Sequence, residues 1–248
     1  MNYKYTINKE FQHLKDLLLN IKESFIKEDS HIHKARNELK IISYNHFELV
    51  VKSFKIPNII NKIAYTFFRD SKAKKSYNYS VKIGKFTPKP VGYIEFYKFF
   101  LLHQSYFISE KFDYDFTIRE PLLDQNFADR ENIFRAFAHF TYELHQAEIL
   151  HKDYSPGNIL IKKEQENYIF KVVDINRMEF RALSTQECLQ NFDKLWAKDE
   201  DLSIIILEYS ILANLETQKS VEKALYYSQK LKNFKNMKKR LKGKPVVD

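Results

Sequence analysis

Of 248 residues, 44% are hydrophobic and 29% charged, enough apolar material for a substantial core and too much for a disordered tail. One cysteine, Cys188, excludes a disulfide framework and any multi-cysteine zinc site, and the four glycines stand too far apart for a G-x-G-x-x-G or Walker A loop. Lys and Arg number 41 against 32 Asp and Glu, a net charge of +9, which favours an anionic partner: nucleic acid, a phosphorylated substrate or an acidic lipid surface.

The opening MNYKYTINKE lacks the apolar core of a signal peptide, and the longest aliphatic run, Ile204 to Leu207, is too short to span a bilayer. The expectation is a soluble chain in a reducing compartment such as the cytosol. Residues 8–25 place Phe11, Leu14, Leu17, Leu18, Ile21 and Phe25 at helical spacing, predicting an amphipathic docking helix. From His31 the pattern alternates through three runs, the last being FELVVKSF at Phe47 to Phe54, with polar turns at Arg36-Asn37 and Asn45-His46. That pattern predicts a three-stranded antiparallel meander. A helical stretch, roughly Pro57 to Ile83, ends near Gly84, and strands are expected at Val91 to Tyr97 and Ser105 to Glu110. The polar patch Lys111 to Asp115 would link two lobes. Beyond it lies a strong helix, Asp129 to Ala147, with Asp129 as N-cap. Two short strands follow, Asn158 to Ile161 and Tyr168 to Val173, and from Thr185 the pattern is helical. The division expected is an N-terminal helix over residues 1–24, a small sheet lobe over 25–110, and a mostly helical lobe over 111–248 ending in a basic helix.

Between the long helix and the short hairpin stands His151-Lys152-Asp153-Tyr154-Ser155-Pro156-Gly157-Asn158, and sixteen residues beyond Asn158 the apolar strand ends in Asp174. The pattern is H-x-D-x-x-x-x-N followed by a strand-terminal Asp. Phosphoryl transfer needs a carboxylate to orient the acceptor hydroxyl, two oxygen ligands for Mg2+, and a lysine on the phosphates. Asp153 suits the first task, Asn158 and Asp174 the second, and Lys52 in Leu49-Val50-Val51-Lys52 the third.

With these residues in place the chain resembles the protein-kinase-like superfamily, and more closely the lipopolysaccharide kinase family acting on Kdo or heptose sugars of the inner core. The resemblance runs from about Phe25 to Phe180, through Arg36-Asn37, Val51-Lys52-Ser53-Phe54-Lys55, Ser71-Lys72-Ala73, Leu144-His145, His151 to Asn158, and Asp174-Ile175-Asn176-Arg177. It implies an α+β, bilobal protein-kinase-like fold with a small antiparallel-sheet N-lobe and a mostly helical C-lobe. It also implies ATP and Mg2+ as cofactors, a lipid-linked anionic sugar as acceptor, and a cytoplasmic enzyme at the inner face of the inner membrane. Lys34, Arg36, Glu110 and Phe112 join Lys52 as expected nucleotide contacts, Lys34 and Arg36 from a covering turn that has no glycine.

The departures are informative. Asp174 is followed by Ile-Asn instead of Phe-Gly, and no A-P-E appears before Thr185, so a long peptide-positioning segment is not expected. Ser155 and Gly157 stand where protein kinases often carry a basic residue, which favours a small hydroxylated acceptor. No carboxylate occurs from Ser71 through Phe86, and Asn78 stands where the glutamate partner of Lys52 is expected.

Blander roles compete. His151 is expected to hold the loop, Lys152 to be a solvated charge, Cys188 to be a small buried hydrophobe, and His103, His139 and His145 to fill core or surface positions. The aromatic residues, 16 Tyr and 21 Phe, read as core filling. Two other function classes stay open: a pseudokinase-like protein that binds nucleotide or a partner without turnover, and a nucleic-acid-binding protein, which charge alone supports and against which the absence of a binding motif weighs. Lys230, Lys232, Lys235, Lys238, Lys239, Arg240, Lys242 and Lys244, with Leu231, Phe234, Met237 and Leu241, make a basic terminal helix. It would lie on an anionic membrane or pack its apolar stripe on the C-lobe.

Overall fold

The computed structural model describes residues 2–28, 31–34 as backbone, 37–54 and 58–243. The chain divides into two compact units, residues 1–113 and 114–248.

The first unit is a six-stranded antiparallel sheet ordered β1-β5-β6-β4-β3-β2. Its strands are β1 (Asn2–Ile7), β2 (His31–Lys34), β3 (Glu38–Tyr44), β4 (Phe47–Phe54), β5 (Pro90–Lys98) and β6 (Leu101–Glu110). The predicted meander is β2-β3-β4, its second turn made by Asn45 and His46 at positive φ. The N-terminal segment differs from the expectation. Its first residues form β1, an edge strand on β5, and the helix behind it breaks into a 3-10 turn, Lys9–Leu14, then α1 (Lys15–Leu19) and α2 (Ile21–Lys27), parted at Asn20. Gly92 permits the β1–β5 approach, since a Cβ there would lie 2.7 Å from the Thr6 carbonyl.

Strand alternation sorts the two faces of this sheet. Leu49, Val51, Ile94, Tyr106 and Ile108 point to one side and bury Leu14, Leu17, Leu18, Ile21 and Phe25. Each such side chain contributes about 1.5–3 kcal/mol when taken from water, which keeps the broken helix in place. Lys40, on the same face, is buried and donates from Nζ to the Phe25 and Glu28 carbonyls at 2.8 and 2.6 Å, closing the C-terminus of α2. The other face carries α3 (Ile59–Phe67) and α4 (Lys72–Ile83). The helical stretch expected over 57–83 is two helices, because the chain turns after Phe67 and Ser71 caps α4 by accepting from the Lys74 N–H at 3.1 Å.

The second unit is mostly helical: α5 (Arg119–Leu123), α6 (Arg130–Gln146), α7 (Thr185–Asn191), α8 (Asp199–Leu212) and α9 (Thr217–Arg240). Two small antiparallel ladders complete it, β10-β9-β7 and β11-β8, from β7 (Phe116–Thr117), β8 (Ile149–His151), β9 (Ile159–Glu164), β10 (Asn167–Val172) and β11 (Met178–Phe180). Asp129 precedes α6 as expected but does not cap it with its side chain. At φ 59° its carboxylate turns away, accepting from Asn132 Nδ2 at 2.6 Å and Tyr168 OH at 2.5 Å. The apolar face of α6 does match its periodicity, with Ile133, Phe134, Phe137, Ala138 and Leu144 buried. On α9 the predicted stripe is not packed down: Phe234, Met237 and Leu241 are exposed, while Ser220, Ala224, Ser228 and Asn236 face inward.

Candidate active site

Two ladders bring the H-x-D-x-x-x-x-N loop and the Asp174 segment together. Antiparallel pairing sets Met178 opposite His151 and Val172 opposite Ile159, so both segments leave the same ladder ends. The pairing continues beyond the strands, with Lys152 N–H donating to the Arg177 carbonyl at 3.2 Å and Val173 N–H to the Asn158 carbonyl at 2.9 Å. Asp153, Asn158 and Asp174 are thereby held on two adjoining backbone segments, each only partly exposed.

Hydrogen bonds inside the loop fix its shape. The Asp153 carbonyl accepts from Ser155 N–H at 2.8 Å and from Asn158 Nδ2 at 2.9 Å. Only the NH2 end of an amide can donate to a carbonyl, so the Asn158 orientation leaves Oδ1 as its outward oxygen. His151 is buried and bonds the Val173 carbonyl from Nε2 at 3.0 Å while Nδ1 accepts from Asp153 N–H at 3.1 Å. These partners require the neutral Nε2–H tautomer. Burial lowers the His151 pKa, against the Val173 bond and the nearby Asp153 and Asp174 carboxylates, which raise it. His151 therefore holds the loop, and Lys152 forms an ion pair with Glu179 at 2.6 Å on the surface, as expected of a solvated charge.

Residues without an assigned role in the sequence reading complete the site. Asn176 donates from Nδ2 to Asp174 Oδ1 at 3.2 Å, occupying the place where a Phe-Gly pair was absent. Asp174 itself sits at φ 56°, a backbone state that an L residue adopts at some cost. Arg177 brings Nη1 to 3.6 Å from Asp153 Oδ2 and is two-thirds exposed, leaving its charge available to a ligand. The Arg119 guanidinium covers Gly157, where a Cβ would lie 2.8 Å from Nη2. Below the loop, Tyr154 is fully buried, stacks on Phe137 and shares a 2.8 Å hydrogen bond with Thr141. Asn191 Nδ2 donates to the His151 carbonyl at 3.0 Å, and its Oδ1 accepts from His145 Nε2 at 3.1 Å. Arg177 stood inside a quoted motif, whereas Asn191 had no local signal.

Among the described residues no cluster of three His, Cys, Asp or Glu forms a metal site. Asn158 and Asp174 fit a hard cation in another way, as two oxygen donors from adjoining segments, the number Mg2+ takes from a protein when phosphates and water supply the rest.

The remaining candidates belong to the first unit. Lys52 lies on β4 opposite Phe107, its Nζ 5.6 Å from the Phe54 ring centroid. Glu110 ends β6 opposite Leu49, and its N–H donates to the Lys89 carbonyl at 2.9 Å. Phe112 lies in the segment between β6 and β7. The Lys34 side chain and Arg36 lie outside the described residues. Asn78 corrects an expectation: it is exposed on α4, whose Ala73 and Tyr77 instead pack on Phe54, Tyr93 and Phe107. The buried carboxylate on that face of the sheet is Glu95, which accepts from Tyr97 OH at 2.9 Å. Alternation along β5 places it beside Tyr93 without being read as a site.

The comparisons agree with this architecture. A solved chain described as WaaP in complex with acyl carrier protein matches with a TM-score of 0.60 over 92% of this chain and 97% of that one, at 12% identity. This likeness carries the fold: an antiparallel-sheet N-terminal part and a helical C-terminal part. None of the curated proteins matches. The model of the lipopolysaccharide kinase (Kdo/WaaP) family matches residues 81–209, which span β5, β6 and the whole loop with Asp153, Asn158 and Asp174. That match covers more than half of the 248 residues, and the chain belongs to the lipopolysaccharide kinase (Kdo/WaaP) family.

Proposed function

We propose that this chain transfers the γ-phosphoryl group of ATP to a hydroxyl of a Kdo-type sugar of the lipopolysaccharide inner core, with the sugar still linked to lipid. The observation that carries the reading is the loop itself: one carboxylate, one outward amide oxygen and a second carboxylate held together by backbone pairing. Asp153 receives the hydroxyl proton as the acceptor oxygen bonds to phosphorus and the bond to the ADP oxygen breaks. Asn158 and Asp174 would hold Mg2+, which when bound neutralises charge on the phosphates. Arg177 beside Asp153 suits an acceptor that carries a carboxylate, as an acidic sugar does. Lys52 serves the phosphates, and Glu110 and Phe112 the nucleotide.

The basic α9, with Phe234, Met237 and Leu241 exposed, supports peripheral contact with an anionic membrane. No helix among the described residues is long and apolar enough to cross a bilayer. The test is phosphate transfer from radiolabelled ATP to a defined Kdo-lipid A acceptor by the full chain. Transfer to the sugar supports the proposal. Nucleotide binding without transfer to any inner-core acceptor overturns it in favour of a nucleotide-binding protein without turnover.

A further inference from the structure

Helix α3 is mounted the wrong way round for a helix of a closed globule. At 100° per residue, Ile59, Ile60, Ile63 and Phe67 fall within one arc of the helix, and all four are exposed. The tie to the sheet comes from the flank of that arc, where the half-buried Thr66 accepts from Leu102 N–H through its hydroxyl at 3.0 Å, and α3 lies against β6. That bond also ties the end of α3 to the start of β6, beside the β5–β6 hairpin tip. The tip is Phe99-Phe100, at φ 50° and 63°, where a two-residue turn normally takes Asn or Gly. Phe68, Phe99 and Phe100 are 79%, 84% and 82% exposed. Neither fold stability nor turn chemistry accounts for two aromatic rings in that place.

The charge around this surface is mainly positive. From Asn58 to Asp70 and from Lys98 to His103 the sequence contains Lys62, Arg69 and Lys98 against one carboxylate, Asp70, which pairs with Lys74 at 2.8 Å. Burial, then Lys62, Lys98 and Lys22, lower the pKa of His103 on β6, so these three lysines lie near it. Lys98 also holds its ammonium 5.6 Å from the Phe99 ring centroid. Exposed aliphatic and aromatic side chains with a cationic surround match a bilayer interface, where rings enter the acyl boundary and ammonium groups meet phosphate.

We propose that the outward face of α3 and the Phe99–Phe100 tip form a docking surface for an anionic lipid bilayer. The surface lies wholly within the first unit, is separate from α9, and rests on no catalytic assignment. Flotation of the full chain with phosphatidylglycerol-containing vesicles, against phosphatidylcholine vesicles, tests it without substrate. Binding should favour the anionic vesicles and weaken with salt. The double variant Phe99→Ser/Phe100→Ser should lower partitioning roughly tenfold or more, and Lys62→Gln or Lys98→Gln about fivefold each. Since Lys98, Phe99 and Phe100 are exposed and Lys62 is half-buried, circular dichroism melts should change little. A dye attached through Phe100→Cys should shift to the blue on anionic vesicles. The proposal is overturned by absence of vesicle binding, or by binding that survives Phe99→Ser/Phe100→Ser and is lost on neutralising Lys238, Lys239 and Arg240. It is equally overturned if the phenylalanine variant turns a dimer into a monomer, which would make a second copy the occupant.

Discussion

Lowering the pH should destabilise the second unit through His145, and the hydrogen bonds around its buried ring fix the sign. Asn191 commits Nδ2 to the His151 carbonyl, so its Oδ1 accepts from His145 Nε2–H, and His145 Nδ1 accepts from the Tyr209 hydroxyl at 2.9 Å. This arrangement uses both ring nitrogens of the neutral imidazole and offers no carboxylate to an imidazolium. Burial therefore pushes the His145 pKa from 6.5 down to about 4, with the Asn191 bond opposing. Between those values the unfolded chain carries a proton that the folded chain refuses. The contribution is complete above pH 6.5 and is lost as pH falls toward 4, at about 1.4 kcal/mol per pH unit, or about 3 kcal/mol in all. His151 is lowered in the same direction and adds to the loss. Against a typical total of about 5–15 kcal/mol, this is readily measured.

The assay is urea unfolding of the full chain from pH 7 to pH 4, followed by fluorescence of Trp196, the one tryptophan, which lies in the second unit. His145→Gln removes the titrating group and keeps an amide for Asn191. The variant should start less stable and lose about 3 kcal/mol less than wild type over the same range. Parallel loss in the two proteins would refute the reasoning. The consequence reaches the site, since Asn191 hangs between His145 and the carbonyl of His151, the first residue of the loop.

Asp153→Asn should lower turnover by about 10²–10⁴ while leaving nucleotide affinity nearly unchanged, because its carboxylate is assigned to the acceptor; rapid-mix kinetics with equilibrium nucleotide binding separate the two. Asp174→Asn should instead weaken Mg2+-nucleotide binding by about tenfold, read by titration calorimetry with and without Mg2+. Asn78→Glu should change neither turnover nor melting temperature, since the residue is exposed on α4, whereas Lys52→Ala should sharply reduce turnover. A silent Lys52→Ala would send the phosphate contact elsewhere, to Lys55 or the covering turn.

The loop was legible because its chemistry and its folding signal are the same residues. Asp153 and Asn158 lie five apart, and the geometry that makes them a site, an amide donating to the carbonyl five residues back, is local. The first strand was not legible because β1 pairs with a segment some ninety residues away, and alternation over six residues is weak alone. Asn191 escaped for the same reason: its partners, His145 and His151, are 46 and 40 residues distant. Asn78 was singled out by its place after Ser71, where the resemblance calls for a glutamate, and position along a helix does not give the face. In α4 the face that holds Ala73, Tyr77 and Ser80 turns inward, and Asn78 turns to solvent.

Helices α3 and α6 show where a hydrophobic period stops being informative. Both carry apolar residues on one arc, and from sequence alone both read as faces turned to a core. In α6 the reading holds, since the arc meets Tyr154, Phe170 and Phe192. In α3 it fails, because Ile59, Ile60, Ile63 and Phe67 are exposed and the tie to the sheet comes from the flank of their arc, through Thr66. Periodicity gives the direction of an apolar moment relative to the helix axis; the direction relative to the sheet is set by whichever side chain reaches the strand backbone. A helix held at the flank of its apolar arc leaves the arc exposed, and that exposure is what makes the α3 surface a question of binding and not of folding.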